Sequence, residues 1–274
     1  MAKPHEITLG DGTVIPILYE DRSVLAIDKP AGWMLAPNTW DRTGRNLQLA
    51  LESSVAGGEF WARSRNLKFL RCVHRLDAET SGVLLLAKTR GAMPANSALF
   101  ESRQITKSYL AVVRGVPKQA EWTCRQSLVP DPAKPGRMKA DRSSASPAPP
   151  SGKPAETRFL VLKTAGNLAL VLVQPVTGRT HQIRVHLAES GFPALHDALY
   201  GPVSAADGPL ALRAVALAYR DPFTGRPVRI EAPVEAFARR FGFAITKEEV
   251  YPSRARKADS SSPSGLGRRS PKVA

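Results

Sequence analysis

The sequence predicts an α+β domain built on a largely antiparallel sheet with flanking helices. Short apolar runs of strand length recur along the chain, and helical periodicity is confined to a few segments. Strands also do not alternate with helices in the βαβ manner that makes a parallel sheet. With 274 residues, 43% of them hydrophobic and 23% charged, the chain is long enough to bury a substantial core.

Val14, Ile15, Ile17 and Leu18 read as a strand leading to the turn Glu20-Asp21-Arg22-Ser23. Val24–Asp28 follows as a second strand, broken by Lys29-Pro30-Ala31-Gly32. Leu47, Ala50, Leu51 and Val55 stand at helical spacing, so a helix is expected over 45–56, stopped by Gly57-Gly58. Val83–Ala87 is a continuous apolar run, short enough for a buried strand. A helix over 92–103 tolerates Pro94 in its first turn. Tyr109–Val113 is the next strand, ended by Gly115. Residues 130–155 are the least regular stretch. Within them Ser143–Gly152 is low in complexity and reads as a long loop rather than a domain linker, because the strands on either side are incomplete alone. Phe159–Leu162 and Leu168–Val173 form a hairpin across Ala165-Gly166-Asn167. Thr180 is the expected N-cap of a helix over 181–190, with Gly191 and Pro193 ending it. Val228–Ala232 reads as a strand and Glu235–Phe241 as a short helix. One domain is expected over residues 1–250. Residues 251–274 hold Ser, Pro, Gly and basic residues with nothing to bury, and are expected to be a disordered basic tail.

Charge narrows the function. Lys and Arg number 39 against 24 acids, a net +15. The tail accounts for +5 of it, six cations against Asp259, so +10 remains on residues 1–250. A polyanionic partner explains a basic folded domain, with nucleic acid the foremost choice; a generic solubility surface is the blander one. Cys72 and Cys124 make neither a metal-ligand pair nor a disulfide framework, and the five histidines show no H-x-x-x-H pair. No metal site is expected. No signal peptide or membrane-spanning run is visible, so the expected setting is the reducing cytoplasm, away from membranes.

The chemistry concentrates in two dense runs. The first is His74-Arg75-Leu76-Asp77-Ala78-Glu79-Thr80-Ser81-Gly82, ahead of the apolar Val83–Ala87. It places a carboxylate at the edge of a core with Arg75 two residues away on the same side of an extended backbone. The second is Thr177-Gly178-Arg179-Thr180-His181-Gln182-Ile183-Arg184-Val185-His186-Leu187. Taken alone, Asp77 also suits a turn cap, Tyr109 a core aromatic and Arg184 an exposed helix cation. His74, His181 and His186 read as structural or RNA-contacting, with nothing to pair them as nucleophile and base.

Together with Lys107-Ser108-Tyr109 and Ala111-Val112-Val113-Arg114-Gly115, these runs resemble the three catalytic motifs of the RluA-type pseudouridine synthases, which isomerise uridine in RNA. Smaller matches flank them: Asp28–Gly32, Gly152–Thr157 and Asp197-Ala198-Leu199-Tyr200-Gly201. The resemblance spans roughly residues 13–245, in the right order and spacing. It implies a pseudouridine synthase catalytic domain over 1–250, with a mixed, largely antiparallel central sheet and a central active-site cleft. It implies that Asp77 is the nucleophile, that Arg75 replaces the extruded base in the RNA stack, that Tyr109 stacks on the uracil and that Arg184 pairs with Asp77. A carboxylate nucleophile must be ionised, and a nearby guanidinium favours that form and orients it. No cofactor is implied. The implied partner is rRNA or tRNA, in a stem-loop or single strand, because an A-form duplex is poorly readable. A monomer is expected.

Two features depart from the family's pattern. His196-Asp197 stands where the family often has Gly-Asp, and a side chain there is expected to bear on the substrate groove. About a dozen residues precede the first strand, so the S4-type RNA-binding module of many relatives is expected to be missing. Two other functions compete: a non-catalytic RNA-binding or chaperone protein on the same fold, and a hydrolase with Asp77 as nucleophile. The hydrolase needs a second acid or a metal cluster, and Glu79 is the only acid close by in sequence.

Overall fold

The computed structural model describes residues 2–35, 45–142, 152–202 and 208–251. The expected loop at 143–152, except Gly152, and the expected disordered tail beyond Tyr251 lie outside the described residues.

Alternation along the apolar runs builds one broad sheet buried on both faces. Among the described residues the sheet path begins with β1 (Glu6–Thr8), β2 (Val14–Glu20) and β3 (Val24–Lys29). It crosses β5 (Ser81–Ala87), β12 (Leu212–Arg220) and β6 (Thr106–Arg114), and ends through β11 (Leu168–Pro175), β10 (Thr157–Ala165) and β7 (Glu121–Cys124). β4 (Arg71–Cys72) flanks β5, and β13 (Pro227–Glu231) flanks β12. The β5–β12 pair is parallel and the other pairs are antiparallel, which bears out the mixed, largely antiparallel sheet of an α+β domain. β8 (Leu128–Pro130) and β9 (Met138–Ala140) form a separate hairpin.

β5 shows why these strands read as continuous apolar runs. Leu84 and Leu86 join one core with Leu25 and Ile27 of β3, while Val83, Leu85 and Ala87 join the opposite core with Val24 and Ala26. On the first face, α1 (Leu47–Ala56), α2 (Phe60–Arg63) and α4 (Gln182–Glu189) supply Leu47, Leu51, Trp61, Ile183 and Leu187. On the second, α3 (Ala92–Glu101) supplies Ala92 and Leu99, while α5 (Glu235–Arg240) and α6 (Lys247–Val250) supply Ala238 and Val250. Each fully buried Val, Leu or Ile contributes about 1.5–3 kcal/mol. The central strands draw that contribution from both faces at once.

The expected helices over 45–56 and 92–103 and the hairpin around Gly166-Asn167 are present. Three regions differ from expectation. β12, the strand at the centre of the sheet, was not anticipated, because alanine, depleted in strands, fills alternate positions of its run Ala214–Tyr219; Arg213 at its start is neutralised by Asp28. β8 and β9 fall in or beside the stretch read as irregular, too short and too polar to register as strands. Thr180 is not the N-cap of α4. That place belongs to His181, at φ +53 and without a side-chain cap bond, and the helix begins at Gln182. Its end is as expected, with Gly191 at φ +83 just past the last turn.

Gly82 makes the parallel β5–β12 pairing possible. It faces Ala214 in register at φ +112, and a Cβ there would lie 1.9 Å from the Ala214 carbonyl oxygen. Backbone conformation and space both exclude a side chain. Gly82→Ala is expected to lower stability by at least about 2 kcal/mol through strain alone. Thermal melting checks this, and a midpoint equal to that of the unaltered chain would remove the close approach as a requirement.

Candidate active site

Asp77 sits on the loop between β4 and β5, its side chain 23% exposed. The loop is anchored from beneath by Lys29 at the end of β3. Lys29 is fully buried, and its Nζ donates to the carbonyl oxygens of Pro30 at 3.1 Å, Ala78 at 2.9 Å and Thr80 at 2.9 Å. Burial lowers its pKa to about 8, against the raising influence of Glu79 and Asp77. The Gly32 N–H donates to Ala78 O at 2.8 Å, and the Thr80 N–H closes a turn onto Asp77 O at 3.1 Å. His74 fixes the approach: its Nε2 accepts the Leu85 N–H at 3.0 Å and its ring stacks on Phe100. Burial drives this imidazole down to about 3, so it is neutral and structural.

Facing this loop, α4 delivers Arg184, 2% exposed and not the surface cation that helix position alone allows. Its Nε donates to Asp197 Oδ2 at 2.8 Å and its Nη2 to Asp197 Oδ1 at 2.7 Å, a bidentate pair. Nη1 is left to reach Asp77 Oδ2 at 3.5 Å and Glu79 Oε2 at 3.6 Å. Asp197 Oδ1 also accepts the N–H groups of Leu199 and Tyr200 at 2.9 and 3.0 Å. Burial works against ionisation of Asp197, but the Arg184 hydrogen bonds and charge outweigh it and hold the carboxyl below its ordinary range. Burial likewise opposes the Arg184 charge, and Asp197, Asp77 and Glu79 overcome it and raise its pKa. The turn before α4 is held by Gln182, whose Oε1 accepts Thr177 Oγ1–H at 2.6 Å and Arg179 N–H at 3.0 Å.

The two elements wall a cleft of about 750 Å³ lined by Arg75, Asp77, Tyr109, His181 and Arg184, among others. All four residues expected at the site are therefore together. Tyr109 is both a core aromatic and a cleft wall. Burial, then the charge of Asp77, pushes its hydroxyl above the ordinary tyrosine range, so it stays protonated. Arg75 is exposed at the rim, its Nη2 within 3.5 Å of Thr180 Oγ1. Lys107 lines the cleft and donates to Thr177 O at 2.8 Å; burial, then Arg103, lowers it to about 8.

Several residues were missed as site residues. Lys29, Asp197 and Tyr200 lie in short matches noted in the sequence, but nothing local tells that Lys29 turns under the Asp77 loop. His181, read only as structural or RNA-contacting, lies with Nε2 3.9 Å from Asp77 Oδ1. His186 is structural, its ring held by Thr157 Oγ1 and Gln126 O. His196 does not line this cleft; its φ of +61 is one that glycine adopts without strain, and its ring lies toward Phe241 and the Pro209 carbonyl. Among the described residues no group of three or more His, Cys, Asp or Glu side chains is disposed to hold a metal ion.

Residues 23–189, which contain the Asp77 loop and α4, match the family described as RNA pseudouridylate synthase. Over 228 residues the chain is 36% identical to "Ribosomal large subunit pseudouridine synthase C" of Escherichia coli, covering 80% of this chain and 66% of that protein. It is 34% identical to the Yersinia pestis protein of the same name, covering 84% of this chain and 69% of that one. The chain thus spans about two thirds of the length of these relatives, and slightly less for the first of them. The solved structure of "Human RNA Pseudouridylate Synthase Domain Containing 1" superposes with a TM-score of 0.63 at 28% identity, covering 80% of this chain and 83% of that one. Fold, motif order and these likenesses agree, and the chain belongs to the RNA pseudouridylate synthase family.

Proposed function

We propose that this chain isomerises uridine to pseudouridine in RNA, with Asp77 as the nucleophile on a uridine flipped into the cleft. The observation that carries this is the Asp77 carboxylate set 3.5 Å from a buried, bidentately held Arg184 on the cleft wall, in a chain of this family. A cleft of about 750 Å³ is of the size that encloses a small ligand such as a nucleotide. The N1–C1′ bond breaks, the uracil turns, and a C5–C1′ bond forms. C5 loses a proton and N1 gains one, so the reaction needs no oxidant, reductant or organic cofactor.

A uracil inside a helix is out of reach, and flipping it out costs a few kcal/mol. Arg75, exposed at the rim, offsets part of that by stacking where the base was. Tyr109 offers the uracil a platform worth about 1–3 kcal/mol. Arg184 orients Asp77. Large-subunit rRNA is the first substrate to test, because relatives carry that name, and tRNA is the second. We place the protein in the cytoplasm as a monomer, with the basic tail adding salt-sensitive RNA affinity.

The deciding experiment is pseudouridine mapping of rRNA and tRNA from cells lacking the gene, complemented with the natural sequence or with Asp77→Asn. Asp77→Asn is expected to restore no site and to slow the purified enzyme at least about a hundredfold, roughly 2.7 kcal/mol, while RNA affinity is unchanged. Turnover retained in that variant removes the nucleophile assignment. No site lost in cells lacking the gene favours a non-catalytic RNA binder. Arg75→Ala is expected to slow single-turnover conversion about tenfold on a structured RNA, roughly 1.4 kcal/mol, and less on an unstructured oligonucleotide. Equal rates on the structured RNA would sink the stacking role. Asp197→Ala strands a buried guanidinium, and chemical denaturation should show a loss of about 3–5 kcal/mol.

A further inference from the structure

His181 stands on the cleft wall in a conformation uncommon for residues other than glycine. Its φ of +53 at the start of α4 is left-handed, and no side-chain cap bond accompanies it. Holding a non-glycine residue there costs on the order of 1–3 kcal/mol and persists where the surroundings over-determine it. Here the surroundings are specific. The Tyr200 hydroxyl lies 2.8 Å from His181 Nδ1 and accepts the Met138 N–H at 2.9 Å. The Tyr200 ring is flanked by the guanidinium groups of Arg137 at 5.0 Å and Arg184 at 5.3 Å.

That arrangement favours one tautomer. The Met138 N–H already donates to the Tyr200 oxygen, and a hydroxyl proton directed at Nδ1 leaves the neutral ring its own proton on Nε2. Nε2 lies 3.9 Å from Asp77 Oδ1, near enough to meet the same ligand and too far for a hydrogen bond. Burial keeps the ring below the ordinary histidine range, with the charge of Asp77 opposing. The result is a fixed, neutral donor beside the nucleophile.

Building on the reaction proposed above, we infer that His181 is a further catalytic residue, whose Nε2–H donates to an oxygen of the flipped nucleotide flanking the glycosidic bond. Three oxygens flank that bond: uracil O2, the ribose 2′-oxygen and the ring oxygen O4′; a donor at O4′ opposes the positive charge that develops at C1′, which leaves O2 and the 2′-oxygen. A donor at O2 stabilises the negative charge that the departing uracil spreads onto that atom. A donor at the 2′-oxygen holds the ribose against Asp77.

The test uses the full chain and an unmodified large-subunit rRNA transcript. His181→Gly suits the left-handed backbone and is expected to stay folded by thermal melting. Its single-turnover rate should fall tenfold or more, with the RNA dissociation constant within about twofold of the original, as loss of one hydrogen bond to a group of developing charge requires. His181→Gln, which restores an N–H donor, should recover part of the rate. If the contact is to the 2′-oxygen, 2′-deoxyuridine at the target abolishes the difference between His181→Gly and the natural sequence; if it is to O2, 2-thiouridine does. An undiminished rate in His181→Gly overturns the assignment. If the natural sequence converts no uridine in this transcript or in tRNA transcripts, the proposed reaction fails, and spectra of nitrogen-15 histidine decide the contact instead. A His181 Nε2 resonance that moves on adding the transcript supports the contact, and one that stays still overturns it.

Discussion

One buried cation organises this molecule. Arg184 has almost no access to water, so its charge is tolerable only if its donors are spent on acceptors. Two go to Asp197 in a planar fork, and the remaining edge points at Asp77. That single guanidinium joins α4 and the nearby turn at 197–200 to the loop of the first motif, 107 positions away in the chain. A lysine would not serve, because an ammonium cannot hold one carboxylate with two parallel bonds and present a third direction to another.

The sheet supplies the rigidity that this junction needs. β5 is buried on both faces, so the loop leading into it has little freedom to drift. Lys29 pins the same loop from below through the Ala78 and Thr80 carbonyls, and Arg213 ties β12 to β3 through a bidentate bond to Asp28. Gly82 lets β12 approach β5 closely enough to complete the centre of the sheet. Each device is polar or conformational, and each stands within a few residues of the apolar core that makes it strong. The Asp77 loop is thus held by its backbone, while the Asp77 side chain faces the cleft and Arg184.

The histidines divide by environment. His74 and His186 have partners on both sides and are depressed by burial, so they behave as neutral structural groups. His181 has a protein partner on one ring nitrogen and the cleft on the other. Residue type does not separate the three, and neither does spacing, since His181 and His186 sit in one run.

The expected elements with strong apolar patterning were legible: β3, β5, β11 and the helices beginning near Leu47 and Ala92 follow from side-chain periodicity, which is a local property. So were Asp77, Arg75, Tyr109 and Arg184, because the chemistry of a motif is carried by residue types in fixed order. β12 was not, because alanine fills alternate positions of its run Ala214–Tyr219 and carries little strand signal by itself. The cap of α4 fell on His181 rather than Thr180, since the surroundings of the cleft override cap preference. The sequence by itself determined the class of fold, the family and which side chains to expect at the cleft. The tertiary structure decided which of them are buried, what neutralises each charge and where His181 and Lys29 stand, because burial and pairing depend on segments distant in the chain meeting at one point.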